Sequence, residues 1–139
     1  MRGAGVFVAC FLLIASSSLV GAAEPDVLED YTLHCSACHT LDGGGTQGIV
    51  PSLAELAPLL EHPDGRAYLI RVPGVAQAPL SDARIARLLN WVLAEYSGIT
   101  AKPPFGQDEV AAWRSHPLRD PVGFRAQLTA GLDAPTTGR

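Results

Sequence analysis

The stretch PDVLEDYTLHCSACH, Pro25 to His39, ends a helix-like run with two cysteines and a histidine. The chain has three cysteines in 139 residues, and the third, Cys10, falls in a different setting. It lies inside the uncharged run from Gly3 to Ala23, which follows Met1 and Arg2 and closes with the small residues LVGAA. A positive start, an apolar middle and a small-residue exit are the layout of a secretory signal peptide, so cleavage is expected after Ala22 or Ala23. The run is also just long enough to span a bilayer, which makes an uncleaved anchor the competing reading. Its serines and small exit favour removal. On that reading residues 1–23 are discarded, Cys10 with them, and no membrane span remains. The remainder is one domain's length and keeps only Cys35 and Cys38. Exported proteins meet an oxidising environment, yet a disulfide across two intervening residues closes almost no loop and would stabilise little. The pair points to chemistry.

Cys35-x-x-Cys38-His39 is the attachment signature of c-type haem. The reason is reach: two cysteines on successive edges of one helical turn can bond the two vinyl groups, and the next residue then lies under the iron. His39 would be the proximal ligand. A thioredoxin-like redox pair would sit at a strand–helix junction, and the residues before Cys35 read as helix instead. Structural zinc needs four ligands, and no second Cys/His pair with finger spacing occurs. One covalently bound haem c is therefore the expected cofactor.

From about Asp26 to Tyr96 the chain resembles the class I c-type cytochromes, small electron carriers. The resemblance rests on Tyr31 four residues before Cys35, on DGGGTQGIVPSL after His39, and on PLSDARIARLLNWVLAEYSG. It implies that the Pro51 carbonyl accepts a hydrogen bond from His39 and fixes its orientation. It implies also that Leu53 presses on the haem face and that the last helix crosses the first, bringing Tyr31 near Trp91 or Leu93. The residues of that last helix support it directly. Ser81 is a suitable N-cap and Asp82 suits the positive end of the dipole. Ile85, Leu88, Leu89, Val92, Leu93 and Tyr96 recur on one face, and Gly98 can stop the helix.

The resemblance breaks at the iron's other side. The family places a methionine shortly before Leu-Ser-Asp, where this chain has VPGVAQAPLSD, with Val75 or Ala76 in that slot and no methionine beyond Met1. The distal position is left to His62, to Gln77, to His116 folding back from the C-terminal region, or to water or nothing. His34, beside Cys35, is wrongly placed for it.

Elsewhere, Ser52 and Glu55 form a candidate capping box, and Asp64 can cap a short helix through GRAYLIRV. Beyond Gly98 two further short helices are expected, Gln107 to Ser115 and one starting with Asp120 as cap and Pro121 as first residue, stopping near Gly131. Trp113, Phe124 and Leu128 should anchor them, with a disordered tail. The fold expected is thus all-α: a cytochrome c-like domain over residues 24–98 with short helices around a covalent haem, and a helical C-terminal extension over 99–139.

Charge is uneven. Residues 24–64 hold eight acidic side chains and no lysine or arginine, while the rest has nine basic against six acidic. Loss of Arg2 takes the formal charge from −4 to −5. An acidic haem-bearing half suits a redox partner protein, a dehydrogenase or oxidase, with a basic docking face; nothing suggests nucleic-acid binding. No catalytic acid, base or nucleophile constellation is visible. The expectation is a periplasmic one-electron carrier rather than an enzyme, with a haem-based ligand sensor or weak peroxidase, using an open distal site, as the alternative.

Overall fold

In the computed structural model of the chain, residues 26–130 are described. The expected signal segment with Cys10, and everything from Gly131 on, lie outside them. The described residues are mostly helical and contain no strand; one isolated antiparallel bridge joins Thr46 to Val50. The all-α expectation holds at that level. No helix among these residues is long and apolar enough to cross a membrane.

Helix α1, Val27–His34, begins where the extended Asp26 turns its carboxylate onto the Leu28 amide at 3.4 Å. Cys35 leaves helical geometry, and one further turn, α2, Ser36–His39, carries the rest of the cysteine motif. Two 3₁₀ turns, Leu53–Glu55 and Ala57–Glu61, follow the glycine-rich segment. The expected capping box is not made there. Ser52 Oγ accepts from the Ala54 amide at 3.2 Å, while the Glu55 carboxylate accepts from Arg125 at 3.4 Å. A tight 3₁₀ turn leaves no full α-helical first turn for a box to close.

GRAYLIR forms helix α3, Gly65–Arg71, rather than a strand. Asp64 precedes it, but its side chain makes no capping bond. Helix α4, Pro73–Ala76, is a single turn. Helix α5, Asp82–Ser97, has the caps read from its sequence: Ser81 accepts from the Arg84 amide at 3.3 Å, and Gly98 adopts a left-handed φ of 66°. That conformation suits glycine and lets its amide reach the Leu93 carbonyl.

Helix α5 packs across α1. Tyr31, fully buried, stands 5.4 Å from the Trp91 ring and 5.1 Å from Tyr96. Beside it Asp30, also with no exposed surface, accepts from Arg84 Nη2, from Arg84 Nε at 3.2 Å and from Arg87 at 3.3 Å. The Arg84 hydrogen bonds outweigh burial and hold the Asp30 carboxyl below the usual carboxylate range. One of the eight acids in the acidic half is therefore internal and paired, so the exposed charge there is smaller than composition implies.

The extension folds onto α5 and α3 and shares their core. Helix α6, Gln107–Arg114, starts and stops within a residue of the sequence reading; helix α7, Pro121–Ala130, starts where expected, while its expected stop near Gly131 lies outside the described residues, and Asp120 Oδ1 caps it through the Gly123 amide at 2.8 Å. Leu128 is buried and Phe124 stacks on Tyr68 at 6.0 Å, as anchors should. Trp113 does not anchor. It is 42% exposed on the last turn of α6, its ring toward the Arg71 guanidinium, and the fully buried Val110 takes the inward position. Arginines finish the docking. Arg66 grips Glu109 and the Pro103 carbonyl, Arg71 donates to the His116 carbonyl at 2.7 Å, and Arg114 donates to the carbonyls of Ala76, Ala78 and Leu80 and to the Asp82 carboxylate. Arg114 thus fastens the loop in which the resembled family would carry its methionine.

Candidate functional site

The CSACH turn is held from both sides. The Tyr31 hydroxyl donates to the Thr40 carbonyl at 2.6 Å, and Tyr96 donates to the Leu41 carbonyl at 3.0 Å. Two rings packed against each other in the α1–α5 crossing therefore pin the backbone immediately after His39. Burial raises the Tyr31 phenol, so it stays a donor at any ordinary pH. The chain then doubles back through Gly45, whose amide donates to the His39 carbonyl at 3.1 Å. Gly45 has φ +70°, and a Cβ there would lie 2.4 Å from the Val50 oxygen and 2.8 Å from the Pro51 oxygen. Only a glycine lets the turn close this tightly.

The result is that the Pro51 carbonyl reaches His39 Nδ1 at 3.2 Å. A carbonyl can only accept, so Nδ1 carries the proton and Nε2 keeps its lone pair. Burial lowers the His39 pKa, with the Pro51 bond opposing it, so the imidazole is neutral near pH 7. A neutral ring with one nitrogen satisfied and the other available has the chemistry to ligate a metal.

Cys35, Cys38, His39, Pro51 and Leu53 all line one cavity of about 520 Å³. That is within the range of ~300–1,000 Å³ typical of small-molecule and cofactor sites. Tyr31 and His34 join them from α1, and Ile49 and Val50 from the glycine-rich turn. The remaining wall comes from other elements: Tyr68 and Leu69 of α3, Val75 and Ala78 around α4, Leu88 and Val92 of α5, and Pro121, Val122 and Arg125 of α7. Arg125 is the one lysine or arginine among them, and its head is partly engaged by Glu55 at 3.4 Å. No group of three or more His, Cys, Asp or Glu able to hold a metal ion occurs among the described residues. A four-ligand zinc centre is not assembled there.

The three candidates for the distal position lie elsewhere. His62 Nδ1 accepts from the Asp64 amide at 3.1 Å at the end of a 3₁₀ turn. Gln77 is exposed, and exposed His116 shares its Nδ1 with Ser115 Oγ at 2.9 Å. None of the three lines the cavity, whereas Val75 does. His34 lines it beside Cys35, from α1. The sequence reading missed Tyr68 and Arg125. Tyr68 had a signal, a hydroxyl inside the otherwise apolar YLI; Arg125 had none, because its partner is 70 positions away.

The cysteines differ. Cys38 is exposed, while Cys35 is half-buried, and that burial, with Asp30 and Cys38 nearby, pushes its thiol up to about 11. A dithiol oxidoreductase needs an attacking thiolate near ambient pH, and Cys35 is the opposite. In the haem-free protein at pH 8, iodoacetamide is expected to modify Cys38 at least ~10-fold faster than Cys35; equal rates by peptide mass mapping would contradict this environment.

No family model, curated protein or solved structure matches the chain.

Proposed function

We propose that the protein is a c-type cytochrome, an exported electron carrier whose single haem is bonded to Cys35 and Cys38 and ligated by His39. The observation that carries this reading is the convergence of both thiols and the oriented, neutral imidazole on one largely apolar cavity of about 520 Å³. The residues fit the group. Two thiols match two vinyl groups, the carbon-lined wall suits a porphyrin, and Arg125 offers a cation to a propionate. Once bound, the haem supplies an iron that cycles between ferric and ferrous states by gain and loss of one electron. The chain's own part is positional: Pro51 locks the imidazole, the two tyrosine hydroxyls fix the CSACH backbone, and Leu53, Leu88 and Val92 exclude water from the cavity. Exposed acids such as Asp26, Glu29 and Glu61 suit a partner protein with a basic docking face. The periplasm is the compartment that fits the leader sequence, and the role is transport of electrons to or from a dehydrogenase or oxidase.

Expression with a c-type haem maturation system tests this. The expected product has the mass of the chain plus one haem, resists acid–acetone extraction, and lacks the absorption band of an iron–methionine bond. A bare chain mass would overturn the reading.

The second reading, a ligand-binding or weakly peroxidatic haem protein, draws on one observation: Val75 and Ala78 line the cavity, and His62, Gln77 and His116 do not. Rapid carbon monoxide binding by the ferrous protein favours it, and slow or no binding favours the carrier.

A further inference from the structure

The segment 72–80 supplies part of the cavity wall through Val72, Pro73, Gly74, Val75 and Ala78. Its own hydrogen bonds are local: the amides of Val75, Ala76, Gln77 and Ala78 donate to carbonyls three or four residues back. The single helical turn α4 ends inside it, and a helix end leaves carbonyls that must find partners elsewhere. Here they find one side chain. Arg114, on α6, donates from Nε to the Ala76 carbonyl at 3.2 Å, from Nη2 to Ala78 at 2.7 Å and from Nη1 to Leu80 at 2.8 Å. Nη1 also reaches the Asp82 carboxylate at 2.8 Å, where α5 begins. A guanidinium spreads its N–H donors over a rigid fork, so it spans carbonyls that a lysine, a point charge, cannot hold together. Toward the cavity the segment presents only carbon, and Arg114 does not line the cavity itself. The wall is held from outside.

We infer that Arg114 is a positioning residue that keeps this wall closed and so limits which molecules reach the cavity's occupant. The inference rests on the haem reading above, in which the iron is what an entering ligand reaches. A segment fastened by a distant element opens when the fork lets go. Exchange of its bonded amides with water waits on that opening, and so does entry of any ligand too bulky for the closed wall. Removing the fork must therefore change both by the same factor.

The test compares haem-loaded wild type with Arg114→Met and Arg66→Met. Arg66 also ties down the extension, through Glu109 and the Pro103 carbonyl, but it bonds to nothing in 72–80. Ferric protein is titrated optically with imidazole, and hydrogen exchange is followed at the amides of 75–78. In Arg114→Met the imidazole affinity and the exchange rate are both expected to rise at least ~10-fold, the size of losing hydrogen bonds from a charged donor, while Arg66→Met stays within about 2-fold of wild type. Arg114→Lys keeps a cation beside Asp82 without the fork. It should move both quantities the same way, and it decides the matter if Arg114→Met does not fold. Unchanged exchange at 75–78 overturns the inference. So does faster exchange with unchanged imidazole affinity, which would show a loosened wall that limits nothing. Equal effects from Arg66→Met also overturn it, by making the extension as a whole responsible. Each of these leaves the cytochrome reading standing, whereas absence of haem from every protein removes that reading and this inference together.

Discussion

Gly45→Ala is expected to destabilise the protein by about 3 kcal/mol, while Gly48→Ala, three residues on, costs about 1 kcal/mol. Both glycines sit in left-handed backbone, at φ +70° and +76°, so both variants carry the same conformational penalty. They differ in surroundings. A Cβ at Gly48 meets nothing within 4 Å, whereas one at Gly45 runs into the carbonyl oxygens of Val50 and Pro51. The difference between the variants therefore isolates crowding, and crowding here has a chemical consequence, because the Pro51 oxygen is the acceptor that orients His39. For a domain near this size, 3 kcal/mol lowers the unfolding midpoint by roughly 10–20 °C. The loaded Gly45→Ala protein should also show a weakened proximal bond as a shifted reduction potential. Equal midpoints for the two variants would mean that the turn relaxes without cost, and that Gly45 does not govern the Pro51 contact.

The second large effect is at Asp30. Asp30→Ala is expected to cost about 2–4 kcal/mol, the low end of values for a broken buried pair because Arg84 and Arg87 keep some solvent. Its pH dependence has a defined sign. The folded carboxyl sits below its unfolded value of about 3.9, so its contribution is fully present above that value and is lost as pH falls through the lower, folded pKa. Wild-type stability should thus drop more steeply below about pH 4 than that of Asp30→Asn, whose amide does not titrate. Comparing the two cancels other groups, His39 included. Parallel acid limbs in urea titrations at successive pH values would show that the α1–α5 crossing does not depend on this charge.

Much of the CSACH side of the cavity was legible because its signals are local. Cys35, Cys38 and His39 declare themselves by spacing, Ser81 and Gly98 by the caps they make, and Asp120 with Pro121 by the order of cap and first residue. The Pro51 contact came from resemblance, and its geometry is present at 3.2 Å. The rest of the cavity wall was not legible, because nothing local says which residues a cavity collects. His62 and His116 were nominated as good ligands by type, but each is committed to a neighbour one or two residues away. The wall is built by Tyr68, Val75 and Arg125, from three elements brought together by packing alone. Trp113 failed as an anchor for a related reason: in a two-turn helix the choice of inward residue is made by the partner surface, and the smaller Val110 fits beneath α6.

The contribution of α7 to the cavity bears on biogenesis. Glu55 and Arg125 meet across 70 residues of sequence, and the rim that carries Arg125 also carries Pro121 and Val122. Synthesis completes CSACH well before that last segment exists. If a haem is attached there as proposed, the pocket would be missing one side during this interval, and docking of the final helix would then shut the door behind the cargo.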